Sequence, residues 1–147
     1  MRDDEIPGLT PRIAAALHDS GKALADRVRA DILHGPRPVF LYYLAQSFDT
    51  LTATLARGGV PRPATPAQQL CLHLMLDHTE RHRDAVDHDT ARVRAALLAD
   101  GTHEPLAALV RHPGQPDVYD FVGLGDALSA RGMGAFFAPV EPDSLVA

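Results

Sequence analysis

The chain has 147 residues, 46% of them apolar and 22% charged, which suits one globular domain with a true hydrophobic core and excludes a disordered or fibrous chain. A net charge of −5, with Lys22 the sole lysine among 14 basic residues, speaks against a nucleic-acid surface, because phosphate binding wants clustered cations. Cys71 is the single cysteine, so an intrachain disulfide is excluded, and no apolar run is long enough for a membrane span.

In chain order, the acidic stretch Met1 to Glu5 lacks an apolar core segment and predicts no secretory signal. With the lone cysteine it makes a cytoplasmic protein the expectation. Residues 1–10 read as a short arm. Thr10-Pro11 then reads as an N-cap followed by proline at the first helical position, where its missing N–H costs nothing. The first helix is expected from Pro11 to about His34, with Ile13, Leu17, Leu24, Val28 and Ile32 on its apolar line. Ala16, Ser20 and Gly21 leave a shallow place on or beside that face where another helix could approach closely. A second helix is expected from Pro38 to about Arg57, built on Phe40, Leu44, Phe48, Leu51 and Leu55 and bordered by Tyr43, Ser47 and Thr54. Gly58 sits where that helix should stop, and the prolines up to Thr65 make a stiff loop.

Thr65-Pro66 starts the third helical stretch, which runs to about Ala99. One continuous helix of roughly 50 Å is the favoured reading. A break near Asp87 to Thr90 is the alternative, with Asp87 or Asp89 capping a new helix at Ala91. The part from Leu70 to Leu76 is apolar nearly all round and should be covered on more than one side. Two short helices, about Glu104 to Arg111 and Pro116 to Arg131, complete the pattern, followed by an irregular tail over residues 132–147. Strand signals are nearly absent. The expected fold is therefore all-α: a single-domain bundle of about five helices, three long and two short.

His78 and His82 stand four residues apart on one face of the third helix, the spacing at which two imidazoles can reach one metal ion. A wheel at 100° per residue places both beside the stripe of Cys71, Met75, Ala85, Val86, Val93 and Ala96, so both imidazoles should be largely buried against the first or second helix. A buried imidazole needs partners; a metal, a carboxylate, a water or a facing hydroxyl from Ser47, Thr54 or Tyr43 would serve. Asp89 is too far along a straight helix to share a metal with His82. A third ligand would come from His34, His18 or Asp31 on the first helix, whereas Asp49 points away. The first expectation is no cofactor; zinc or iron is the alternative that such a pair would suit, and protonation of the same pair would make a pH switch. The opposite face, His73, Asp77, Glu80, Arg81, Asp84 and His88, reads as a solvated surface with Asp77–Arg81 and Asp84–His88 pairs. Cys71 reads as a buried small hydrophobe without catalytic partners. The glycine-containing pieces Gly123 to Asp126 and Gly132 to Gly134 follow no strand and lack the spacing of a phosphate loop.

Leu41, Tyr42, Leu72 and Leu76 diverge from the main core direction by about 80° or more on the same wheel. Either the C-terminal helices cover them or a second subunit does, and a dimer through the second and third helices is one expectation. Two functions fit. One is a self-associating bundle that acts by binding a protein partner or small ligand. The other is a metal-binding protein or metal-dependent enzyme using His78 and His82, where the metal would lower the pKa of a bound water.

Overall fold

The computed structural model describes residues 6, 8–34, 39–82, 87–98, 111–112 and 115–119; the side chains of 31–34, 39–40, 66, 82, 87–88 and the strands lie outside that description. Four helices are present: α1 Pro11–His34, α2 Val39–Ala56, α3 Pro66–His82 and α4 Asp87–Leu97. The fold is all-α. A short antiparallel pair, β1 Arg111–His112 with β2 Gln115–Tyr119, is the only strand structure among the described residues.

Local chemistry sets the helix ends. Thr10 Oγ1 accepts the Ile13 N–H at 3.2 Å, and Thr65 Oγ1 accepts the Gln68 N–H at 3.1 Å. Both threonines thus occupy the capping positions expected of them. The Gln68 side chain reaches back to the Ala64 N–H at 2.7 Å, a variation on the capping box. At its C-terminus α2 closes with Gly59 N–H on Thr54 C=O and Gly58 N–H on Leu55 C=O, at 2.9 and 3.0 Å. Gly58 has φ +77°, the left-handed conformation that such a Schellman ending requires and glycine adopts without strain.

One apolar cluster draws on all of α1 to α3 and the end of α4. Ile13, Leu17, Leu24 and Val28 from α1 meet Leu44, Phe48, Leu51 and Leu55 from α2, all buried. α3 is the central element and packs against α1, α2 and α4. Every residue from Leu70 to Asp77 is buried, as an all-round apolar helix segment must be. Leu41, Leu72 and Leu76 are fully buried within the single chain. The apolar surplus that pointed to a second subunit is therefore absorbed by intramolecular packing. Only Tyr42, 49% exposed, remains as a large exposed hydrophobic among the described residues.

Two expectations are corrected. The stretch from Pro66 to Ala99 is not one helix. Arg94 lies 2.9 Å from the His73 ring, whereas a continuous helix would hold those Cα atoms about 31 Å apart. α4 is instead folded back on α3, so Val93 is buried from a separate helix and Ala96 is exposed. The helix expected from Pro116 is also overturned at its start, because 116–119 belong to β2. Val118 and Tyr119 favour a strand. Residues 104–110 and 120–147, including the glycine pieces and the tail, lie outside the described residues.

Candidate functional site

α3 carries polar groups on two opposite sides. Toward α1, His78 is half-buried and its Nδ1 lies 2.9 Å from Ser20 Oγ, which in turn lies 2.9 Å from Thr79 Oγ1. Ser20 and Thr79 are buried. Protons can run along this chain in either sense, with Ser20 donating to His78 or to Thr79. The arrangement ties α1 to α3 and satisfies three polar groups in an apolar interface. It does not make Ser20 a nucleophile, since its hydroxyl is enclosed mid-helix with no room for a substrate. A partner of His78 is thus Ser20 of the small-residue patch. Ser47 and Thr54 donate their hydroxyls to the carbonyls of Tyr43 and Thr50, on their own helix.

Of the other predicted ligands, only His18 has a described side chain. His82 belongs to α3, and Asp31 and His34 to α1, but their side chains lie outside the description. His18 is part-exposed, 3.5 Å from Asp19, and faces the α1–α2 groove rather than the buried patch. Asp49 is exposed and paired with Arg29, as its outward direction implies. Among the described residues no three His, Cys, Asp or Glu side chains converge to hold a metal ion. Cys71 is buried with its thiol 3.7 Å from the Leu44 carbonyl, and burial pushes its pKa well above the ordinary value. That favours an inert thiol.

The opposite side of α3 corrects the solvated-surface reading. His73 and Asp77 are buried, and α4 reaches both through Arg94. Arg94 donates to His73 Nδ1 at 2.9 Å, to Asp77 Oδ1 at 3.2 Å and to Glu80 Oε1 at 3.0 Å. His73 Nε2 lies 3.4 Å from Asp77 Oδ2. A guanidinium can only donate, so Nδ1 must present its lone pair and the ring proton sits on Nε2, facing the carboxylate. His73 is therefore the neutral Nε2–H tautomer in this arrangement. The i, i+4, i+7 spacing of His73, Asp77 and Glu80 was visible in the sequence. Their cation was not, because it arrives from a helix that doubles back.

A concavity lies elsewhere on the bundle. A groove of about 790 Å³ runs between the strap before α1 (Ile6, Leu9, Thr10), the first turns of α1 and the end of α2. Ala14, Ala15, Ala56, Gly58 and Gly59 leave the space, Leu55 and Val60 give it apolar walls, and His18 and Thr10 supply polar atoms. The strap is held by Gly8, whose φ of +88° lets its backbone lie against Asp89 and Arg92 of α4. Sequence reading missed this groove, since no residue in it bears a chemical motif. Compared with known protein families, curated proteins and solved structures, the chain has no match, so the site must be read from its own residues.

Proposed function

We propose that this chain is a non-catalytic binding protein, a helical bundle that takes a small apolar ligand in the groove between the strap, α1 and α2. The observation that carries this reading is the groove itself. Its volume of about 790 Å³ and its small, mainly apolar lining with a few polar atoms are those of small-molecule sites. The reading needs no catalytic group. Self-association belongs to the same proposal and has Tyr42, at 49% exposure, as its support. A probe such as indole or 1-octanol, followed by amide NMR, tests the groove. Shifts should centre on Ala14, Ala15, Ala56 and Val60. Ala15 is exposed, so Ala15→Phe should fill the groove, keep the fold and abolish the shifts. Shifts elsewhere, or shifts indifferent to Ala15→Phe, overturn the reading.

The second reading, a zinc or iron site on His78 and His82, is supported by their spacing on α3. His78 Nδ1 is the atom facing Ser20.

A further inference from the structure

We propose that His73 and Arg94 form a proton-sensitive clasp holding α4 on α3, in which Arg94 and a proton compete for one lone pair, that of His73 Nδ1. The groove plays no part in it. α4 has a single fully buried apolar residue, Val93, with Leu97 partly buried and Leu98 just beyond its end. Arg94 is a polar attachment of α4, and its one guanidinium reaches three α3 side chains. The bond to Nδ1 exists only while that nitrogen is unprotonated. A proton there would set an imidazole N–H against a guanidinium N–H across the same 2.9 Å, replacing an attraction by a repulsion.

The surrounding charges determine how the clasp responds to that proton. On His73's own helix stand Asp77, 3.4 Å from Nε2, and Glu80, which holds the same guanidinium; across from α4 stands Arg94. α1 and α2 meet the other side of α3: Met75 and His78 touch α1 and Cys71 touches α2, roughly 140° to 160° around the helix from His73. Once charged, the imidazolium competes with Arg94 for the Asp77 carboxylate, so protonation weakens two of the three bonds that Arg94 makes to α3.

Hydrogen exchange of the α4 amides, corrected for intrinsic rates, and an NMR titration of His73 test this on the full chain. Between about pH 7.5 and 5.5 the protection of α4 should fall by roughly threefold or more in the wild type. His73→Gln, which keeps an acceptor but cannot titrate, should show the same protection at both pH values. Arg94→Gln should move the His73 titration midpoint upward. The proposal fails if wild-type α4 protection does not change with pH, if the change persists in His73→Gln, or if Arg94→Gln leaves the midpoint in place. Should His73→Gln not fold, the wild-type exchange and the Arg94→Gln titration still decide.

Discussion

Replacing Gly21 by alanine adds one methyl group where three helices meet, and the structure fixes what it would strike. A Cβ on Gly21 would stand 2.4 Å from Thr52 Cγ2 of α2 and 3.0 Å from Met75 Cε of α3. Met75 is the end of a flexible chain and can yield. Thr52 cannot turn aside cheaply, because its hydroxyl donates to the Asp49 carbonyl at 3.0 Å and rotation of Cγ2 breaks that bond. α1 and α2 would have to separate. Such overpacking costs about 3 kcal/mol at the upper end, against about 1 kcal/mol gained from replacing a helical glycine by alanine. The net expectation is a loss of about 2 kcal/mol, or a Tm lower by about 5 °C for a chain of this size. Urea unfolding of four proteins, wild type, Gly21→Ala, Thr52→Ser and the double variant, measures it. Thr52→Ser keeps the hydroxyl and removes the obstructing methyl, so alanine at 21 should become neutral or stabilising in that background. The cycle should return a coupling of about 2 kcal/mol. A Gly21→Ala protein as stable as the wild type, or additive effects in the cycle, would refute the close-packing argument.

Three further outcomes are expected. Gly8→Ala should destabilise by about 2–3 kcal/mol in thermal unfolding, since it combines a φ of +88° with a Cβ 2.4 Å from the Asp89 carbonyl oxygen; equal Tm values would show that the strap is not seated on α4. Cys71 should resist an aromatic disulfide reagent at pH 8 in the native protein and react at once in denaturant, because burial raises its pKa and only the thiolate attacks. Above about pH 9 the unfolded chain releases this proton while the folded chain keeps it, so stability falls as pH rises there, and a flat ΔG from pH 8 to 10 in a comparison with Cys71→Ala contradicts it. If the metal reading holds, protein purified without a His-tag should carry stoichiometric zinc or iron that disappears in the His78→Ala, His82→Ala variant; metal-free protein whose stability ignores chelators removes that reading.

How far the sequence could be read depended on whether the deciding physics was local. Thr10-Pro11, Thr65-Pro66 and Gly58 act within one turn, and the start of α1, the end of α2 and the start of α3 fall where those residues place them. The periodicity of Ile13, Leu17, Leu24 and Val28, and of Leu44, Phe48, Leu51 and Leu55, likewise names the buried faces because a helix carries its own register. What local pattern cannot encode is which way a helix turns after it ends. Nothing between Arg81 and Asp89 interrupts helical composition strongly, so the stretch reads as continuous, and one error there propagates. With α4 extended away, His73 and Asp77 have only solvent to face; with α4 folded back, they are buried and bridged by Arg94. The same reversal explains Gly8, whose conformation has a purpose only when Asp89 and Arg92 lie against it. The His78 side came closer to being legible, because Gly21 and Ser20 advertise a close helix approach by lacking bulk. The hydroxyl that meets His78 comes from that patch, not from the α2 positions that spacing alone suggested. Polar residues in this chain are thus placed by which helix lies opposite, and their chemistry becomes readable only once the reversal between α3 and α4 is known.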